Sequence, residues 1–307
     1  DRKVNVFNAL PDFSMFAVPY GDDKKLKILV KKADFVEGVS EGYETGGDLT
    51  LSAGDDRVGR SCCRLRRHPI TNDIYLCTHD GYNDIEVHKY NPNDQTWSQI
   101  GSAIPGYDYD IATGNWGSYS ISWYGHTDFA IKSDGTLVIC HAQPSYNYKI
   151  DIRTYDDDSS DWTDPHDTYY RNNNEVRGVY LTENASKLFI CHYRWMCREN
   201  IILSDNTFKT TGTYQSPVYG TDIFDMYNNI GTFYNYNTGI QVNETGTVIV
   251  TTTHSAYNST ATAYVGYYYL DINDNWQNIN ITYTGSTYQA GYFGKHVAVN
   301  YYGDYVA

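Results

Sequence analysis

Two histidines occupy matching places in the sequence and could carry out chemistry. His141 follows Cys140 in ICHA, and His192 follows Cys191 in ICHY. An imidazole changes charge near neutral pH and is a common metal ligand, so this pair could line a central pocket with Arg194 as acid, base or ligand. Repetition of this kind more often reflects packing, and we favour that alternative.

Carboxylates are the second kind of candidate, because glycoside hydrolysis needs two of them at a set separation. The candidates are Glu175, Glu199, Asp110 and Asp128. SDGT (133–136) resembles part of the sialidase Asp-box, but the closing Gly-x-Thr-Trp is absent. The sequence has no Gly-x-Ser-x-Gly, His-Glu-x-x-His or phosphate-loop motif. We assign no catalytic residue, and an enzyme is the less favoured class.

Long segments rich in Tyr and Trp are the leading candidates for ligand binding. They include residues 105–126, 141–148, 192–197 and 213–237. Tyr combines a broad apolar ring with a hydroxyl at low entropic cost, which suits recognition surfaces. The rings could instead fold their own loops down, as in Ω-loops. The predicted ligand-binding residues are Trp116, Trp123, Tyr124, Tyr146, Tyr148, Tyr193, Arg194, Trp195 and Tyr257.

One acidic turn could hold Ca²⁺ through oxygen ligands. It contains Asp156, Asp157, Asp158 and Asp161. A solvated acidic turn is the favoured alternative. We therefore expect no cofactor and no metal site, with Ca²⁺ kept as a possibility at this turn.

A repeated outline shows which elements must position these residues. YNPNDQTW (90–97), YDDDSSDW (155–162) and YLDINDNW (269–276) each begin with Tyr and end with Trp. An alternating strand precedes each Tyr, and a second short strand follows each Trp. The outline therefore predicts a β-hairpin with an acidic turn, in which Tyr and Trp pack the hairpin against the next repeat.

A second pair of strands precedes each hairpin and recurs every fifty to sixty residues or so. The second strands of these pairs begin near Met15, Ile74, Leu137, Leu188, Val248 and Tyr305. Four strands per unit without a helical pattern predict an all-β protein, a six-bladed β-propeller with four-stranded antiparallel blades and an incomplete last blade. A two-sheet sandwich is the alternative. We predict one domain, 1–307, with blades at 3–57, 58–125, 126–175, 176–237, 238–294 and 295–307.

The Tyr-x6-Trp hairpin resembles the kelch repeat, and YFGKHVAVNYYGDYVA (292–307) is similar to the start of an FG-GAP-type extracellular repeat. The resemblance implies a propeller. The kelch Gly-Gly pair and the FG-GAP calcium loop are both missing, so it implies no binding function for particular residues.

Charge and hydropathy exclude two classes of function. The net charge of -14 argues against nucleic acid, because phosphate binding needs clustered Lys and Arg. The one basic cluster, residues 60–67, alternates like a strand, and we favour a structural strand over an anion site. No apolar run is long enough to span a membrane.

Cysteines and sequons suggest a secreted glycoprotein. We predict a disulfide between Cys191 and Cys197, and two others, Cys62–Cys77 and Cys63–Cys140. The sequons are at Asn184, Asn243, Asn258 and Asn280, although chance alone gives a similar number. The chain starts at Asp1 without Met, so we expect that a signal peptide was removed or omitted.

The leading functional hypothesis is an extracellular or surface-exposed module that recognises carbohydrate or a protein surface through its aromatic loops. A structural subunit of an extracellular filament or particle, with self-association, is the first alternative. A glycan-active hydrolase or lyase is the second. Because the last predicted blade lacks its outer hairpin, we expect the natural chain to continue past Ala307, or else a neighbouring molecule to complete the blade.

Overall fold

The computed structural model describes most of the chain in separate ranges. These are residues 8–20, 25–34, 42–51, 63–79, 84–105, 126–143, 149–170, 176–192, 196–207, 210–211, 218–219, 221–225, 239–254, 262–284 and 299–305. Every regular element in these ranges is a β-strand, and none is a helix. The all-β prediction is confirmed. Within these ranges, no helix has the length and apolarity needed to cross a membrane.

The first three antiparallel sheets share one pattern: three strands side by side, then an outer strand in two short pieces. Sheet 1 contains β1 (Asn8–Ala9), β2 (Met15–Tyr20), β3 (Lys25–Lys31), β4 (Tyr43–Thr45) and β5 (Leu49–Thr50). Sheet 2 contains β6 (Cys63–Arg67), β7 (Ile74–His79), β8 (Asp84–Asn91), β9 (Thr96–Gln99) and β10 (Ile104–Pro105). Sheet 3 contains β11 (His126–Ile131), β12 (Leu137–Gln143), β13 (Lys149–Asp156), β14 (Asp161–Trp162) and β15 (Asp167–Tyr170).

Two further four-stranded sheets follow, each with a single outer strand. Sheet 4 contains β16 (Val176–Leu181), β17 (Lys187–His192), β18 (Met196–Ile201) and β21 (Thr221–Asp225), and β19 (Thr210–Thr211) pairs separately with β20 (Val218–Tyr219). Sheet 5 contains β22 (Gly239–Val242), β23 (Val248–His254), β24 (Thr262–Leu270) and β25 (Trp276–Thr284). In each sheet we call the successive strands a, b, c and d.

The turn between strands a and b is nearly the same in all five sheets and recurs at residues 300–305. An amide near its end donates to the carbonyl of its first residue, and the donor residue has a φ between 51° and 93°. These donors are Phe13, Asn72, Gly135, Ala185, Gly246 and Gly303. The repeat inferred from the sequence therefore includes this turn six times, with one extra residue in the sheet 2 copy, where Asn72 donates to His68.

The a–b turn of sheet 4 and the turn at residues 300–305 are joined by a phenol. The Tyr301 hydroxyl donates to Glu183 Oε2 at 2.6 Å. This hydrogen bond, partial burial and the Glu183 charge raise the pKa of Tyr301 to about 12. Because the folded pKa lies above the ordinary value of about 10, the contact stabilises the fold fully below about pH 10. The stabilisation is lost as the pH rises from 10 towards 12.

We expect the tyrosinate absorbance titration of Tyr301→Phe to lack one group that ionises near pH 12 in the unsubstituted protein. Glu183→Gln should move that group to lower pH. If the group lost in Tyr301→Phe is instead one that ionises near pH 10, the contact between Tyr301 and Glu183 is contradicted.

The c–d hairpins place Tyr and Trp as the sequence predicted in two of the three copies. Tyr90 pairs with Trp97 and Tyr155 with Trp162, with ring centroids 4.9 and 5.5 Å apart. In the third copy the register differs, because Trp276 pairs with Leu270. The first two Trp rings pack on cores shared with the preceding sheet, rather than with the next one as predicted.

Alternation along the central strands builds a core on each face of sheet 2. Leu65 and Leu76 join a cluster with sheet 1, whereas Cys77 and Val87 join a cluster with Phe129 and others of sheet 3. Successive side chains of a strand point to opposite faces, so one strand serves two cores. This stacking of sheets through both faces is what the blades of a propeller require.

The chain divides into two compact units. The first comprises residues 1–179 and 204–207, and the second comprises residues 180–203 and 208–307. Each four-stranded sheet falls inside one predicted blade range, while the assignment of the whole chain to a single domain stays a prediction.

Two of the three predicted disulfides are wrong. Cys63, Cys77 and Cys140 are buried, and none of the three forms a disulfide. The ladder places Arg64, not Cys62, opposite Cys77. Cys63 faces sheet 1, where its Sγ lies 3.8 Å from the Ala17 carbonyl. Cys140 alternates with Ile139, which packs towards sheet 2, so the Cys140 thiol points away from that sheet.

The third predicted disulfide has a fitting backbone register, since Cys191 and Cys197 are directly opposite each other in the β17–β18 ladder. We expect alkylation of the denatured, unreduced protein to label Cys63, Cys77 and Cys140 but not Cys191 and Cys197. Cys191→Ser should make Cys197 reactive. Labelling of both residues before reduction, read by peptide mass spectrometry, would exclude the bridge.

Candidate functional site

A largely buried polar cluster lies at the end of sheets 2 and 3 where strands b finish. Its members come from five strands. They are Arg64 of β6, His79 of β7, Thr127 and Asp128 of β11, His141 of β12 and Asp151 of β13. All six belong to the first compact unit. We call this group the polar cluster.

An ion pair joins equivalent positions of the two innermost strands. Arg64 lies opposite Cys77 in sheet 2, and Asp128 lies opposite Cys140 in sheet 3. Arg64 Nε donates to Asp128 Oδ1 at 2.6 Å, and the two side chains are 14% and 1% exposed. A pair this buried needs close geometry to offset its desolvation. It fixes the separation of the two strands.

A threonine hydroxyl bridges two histidines beside this pair. Thr127 Oγ1 lies 2.9 Å from His79 Nε2 and 2.8 Å from His141 Nδ1. The hydroxyl has one proton, so it donates to one imidazole and accepts an N–H from the other. The histidines meet because His79 lies one residue further along its strand than His141 does, so they face each other across the gap. Their ring centroids are 6.1 Å apart.

Two acidic side chains of the polar cluster, Asp128 and Asp151, help to keep the Cys140 thiol neutral. Asp151 is the ladder partner of His141, so both side chains lie on one face of sheet 3. Burial, together with the Asp128 and Asp151 charges, raises the pKa of the Cys140 thiol. Since the thiolate is the reactive form of cysteine, Cys140 is a packing residue and not a nucleophile.

Burial limits what the polar cluster can do. His79, Thr127 and His141 are 3%, 5% and 2% exposed, so a substrate does not reach them. Glu86 and His88 form a second buried pair on the other face of sheet 2, at 2.9 Å. These hydrogen-bonded groups anchor the strand ends from which residues 80–83, 106–125 and 144–148 continue.

Two carboxylates of the acidic turn of sheet 3 accept hydrogen bonds, one from within the turn and one from Ser102 of sheet 2. Asp156 accepts from the Asp158 amide and the Ser159 hydroxyl, and Asp161 accepts from the Ser102 amide and hydroxyl. These hydrogen bonds lower the pKa of both carboxyl groups. Within the described ranges, no group of three or more His, Cys, Asp or Glu side chains could hold a metal ion.

The predicted ligand-binding residues all lie outside the described ranges. They are Trp116, Trp123, Tyr124, Tyr146, Tyr148, Tyr193, Arg194, Trp195 and Tyr257. Asp110 and Glu175 also lie outside these ranges, while only the backbone of His192 and Glu199 is described. Of the histidines and carboxylates considered as acid or base, the structure describes the side chains of His141 and Asp128, which lie on the paired strands β12 and β11.

The sequence interpretation missed Arg64, His79, Thr127 and Asp151. His79 lies two residues after Cys77, whereas His141 lies one residue after Cys140, so the search for matching Cys-His pairs did not find His79. The basic cluster does form a strand as predicted, with Arg64 and Arg66 both in β6.

The four predicted glycosylation sites differ in how exposed their asparagine side chains are and in how much of them the structure describes. Asn184 is exposed. Asn243 is 3% exposed, and its Nδ2 donates to Thr245, Thr247 and the Tyr301 carbonyl. A glycan on that nitrogen would have to replace these hydrogen bonds, and glycosylation at Asn243 stays a prediction. Asn258 lies outside the described ranges, and only the backbone of Asn280 is described, in β25.

Comparison with known proteins identifies the fold. No protein-family model matches the chain, and no curated protein matches it. A candidate 6-phosphogluconolactonase from Bacteroides uniformis is similar in structure, with a TM-score of 0.58 at 9% identity over 98% of this chain and 76% of that one. Together with the stacked four-stranded sheets, this similarity confirms the β-propeller prediction; the number of blades stays a prediction.

Two weaker similarities were also found. A Lactobacillus plantarum protein has a TM-score of 0.49 at 11% identity, over 91% of this chain and 70% of that one. The Cps50 (Swd1) β-propeller domain of Myceliophteria thermophila has a TM-score of 0.46 at 9% identity, over 91% and 83%.

Proposed function

We propose that this β-propeller is an extracellular or surface-exposed binding module that recognises carbohydrate through its Tyr- and Trp-rich segments. We call the side of the sheets where strands b end the loop side, and the side of the a–b and c–d turns the turn side. The observation that carries the proposal is the contrast between the two sides.

The turn side is closed by its own hydrogen bonds. The a–b turns repeat one backbone pattern six times, and their polar side chains bond within the turn, as when Asp134 accepts from the Thr136 amide. Side chains used in this way are not free to adapt to a ligand.

The loop side differs in sequence, because its connecting segments are long and rich in Tyr and Trp. Segments of up to twenty residues leave strand ends that the polar cluster holds in place, as residues 106–125 do between Pro105 and His126. Long loops on a rigid scaffold commonly carry function. Aromatic rings suit sugars, because a sugar has apolar C–H faces as well as hydroxyls, and Tyr meets both.

The polar cluster lends less support to a glycan-active enzyme. Asp128 and Asp151 are each 1% exposed, so neither carboxylate reaches a glycosidic bond. The lactonase description of a structure 9% identical to this chain supports the fold and not a reaction.

A glycan array followed by titration of the best sugar tests the proposal. We expect Trp195→Ala to weaken binding by about 2 kcal/mol or more, as for an interface hot spot. The matched control is Tyr302→Ala, which removes a 75% exposed ring from the turn side of the same unit and should leave affinity unchanged.

Equal losses in both variants would exclude the loop side as the site. An empty array combined with capture of a protein partner would replace carbohydrate by a protein surface. Large assemblies in light scattering with no ligand would favour the structural-subunit alternative.

A further inference from the structure

Lysines are concentrated in one strand of this acidic protein. The net charge is -14, yet residues 24–32 contain five lysines. Along β3 the burial alternates, because Leu26 and Ile28 are fully buried in the core shared with sheet 2. Successive side chains of a strand point to opposite faces. The other face of β3, which we call the outer face of sheet 1, therefore carries Lys25, Lys27, Leu29 and Lys31.

Apolar side chains lie beside these lysines. In the β2–β3 ladder, Val18 is opposite Lys27. Phe16 is opposite Leu29 in the same ladder, and its ring packs edge-on against Tyr43, with centroids 5.0 Å apart. Directly opposite residues share a face of the sheet, and all of these apolar side chains are half-buried. The outer face therefore combines a row of positive charge with a partly exposed apolar surface.

Two of the lysines have no ionic partner in the part of the chain that the structure describes. Neither Lys25 nor Lys27 forms an ion pair with a described carboxylate. Glu44 lies opposite Val30 and so points to the core side of the sheet. Asp48 is exposed just before β5, which pairs with β3, but it forms no ion pair with either of these two described lysines. The two ammonium groups are therefore available to an anionic ligand.

The spacing of the two lysines indicates which anion fits. They are two residues apart in a strand, so their side chains leave the sheet about 7 Å apart. Alternate side chains of any extended peptide are separated by the same distance. Carboxylates at every second position of such a peptide can therefore meet Lys25 and Lys27 together. Phosphate-bearing chains fit less well, because the strands of sheet 1 contain no Arg, the residue that matches phosphate with two parallel hydrogen bonds.

We propose that the outer face of sheet 1 binds an extended acidic segment of a partner protein, with carboxylates at alternate positions along Lys25 and Lys27. The net charge of the chain does not prevent this contact. At physiological ionic strength the Debye length is about 8 Å, so a ligand on the outer face responds to the nearby lysines more than to distant acids. The apolar side chains beside the lysines lower the local dielectric, which strengthens an ion pair. The inference is independent of carbohydrate binding on the loop side.

Fluorescence anisotropy of the full chain with two labelled peptides tests the proposal. Both peptides contain only Glu and Thr, in the same numbers. In the first peptide the Glu residues occupy consecutive alternate positions. In the second they occupy every third position, which places neighbouring Glu side chains on opposite faces of an extended chain. The first peptide should bind with a Kd at least about threefold lower.

A double variant tests whether the two lysines cause this preference. Lys25→Gln with Lys27→Gln should raise the Kd of the first peptide at least about fivefold, because each exposed ion pair contributes up to about fivefold in affinity. The same double variant should bind the two peptides equally.

Two further variants act as controls. Lys89→Gln removes a lysine whose side chain is 38% exposed in the same compact unit, and it should leave the Kd unchanged. Asp48→Asn removes a carboxylate next to β5 and should lower the Kd. Near-ultraviolet circular dichroism confirms that each variant is folded.

Three results would overturn the proposal. The first is that neither peptide binds, or that both bind the unsubstituted protein with equal Kd, because attraction would then depend on charge alone. The second is a double variant that binds like Lys89→Gln. The third is that heparin binds more tightly than the first peptide and the double variant loses heparin, which would assign the outer face to an anionic polysaccharide instead.

Discussion

Replacing Asp128 by alanine is expected to lower the free energy of unfolding by about 3 to 5 kcal/mol, the usual cost of breaking a buried ion pair from one side. The variant would leave the Arg64 guanidinium, 14% exposed, without its carboxylate. Denaturant unfolding followed by circular dichroism measures the change.

A solvent-exposed pair of the same unit gives the control. Lys89 Nζ lies 2.8 Å from Asp73 Oδ2, with side chains 38% and 32% exposed. Lys89→Met should cost less than about 1 kcal/mol, because exposed pairs contribute little. If Asp128→Ala and Lys89→Met lower the free energy of unfolding by similar amounts, the buried Arg64–Asp128 pair contributes no more to stability than the exposed pair.

A double variant separates the ion pair from the packing around it. Arg64→Met with Asp128→Leu removes both charges, so it should be more stable than Asp128→Ala, since neither half of this ion pair is left without the other. If the double variant is less stable than Asp128→Ala, the loss of stability comes from packing rather than from the unpaired Arg64 charge.

The hairpins and turns could be predicted because their signals are local. Tyr90 and Trp97 are seven residues apart and pair across one turn. The same local rule failed for Trp276, because five residues (271–275) separate Leu270 from Trp276, whereas four (92–95) separate Asn91 from Thr96. Local spacing predicts that a hairpin exists better than it predicts its register.

The polar cluster could not be predicted in the same way. Arg64 and Asp128 pair across two sheets, and each was considered alone, as a strand residue and as a candidate carboxylate. Their contact depends on the register of the β6–β7 and β11–β12 ladders and on how the two sheets stack. The pattern of a single strand does not encode either of these. The Cys63–Cys140 prediction failed for this reason, since the stacking turns the two thiols away from each other.

Replacing Thr127 by valine is the second large effect that we expect. The side chain keeps its shape but loses the hydroxyl that bonds to His79 and His141. Each buried nitrogen that loses this partner costs about 1 to 3 kcal/mol, so the two together should exceed the loss at any exposed site. Thr127→Ser, which keeps the hydroxyl, should recover most of the stability.

Thr154→Val is the matched control, because Thr154 Oγ1 lies 2.7 Å from His166 Nε2 and His166 is exposed. Water can replace that hydroxyl, so the expected cost is below about 1 kcal/mol. Denaturant unfolding of the three variants gives the comparison. If Thr127→Val and Thr154→Val lose equal stability, or if Thr127→Ser fails to recover it, the bridging hydroxyl does not hold the two histidines, and the strand ends beneath the aromatic segments must be fixed by other contacts.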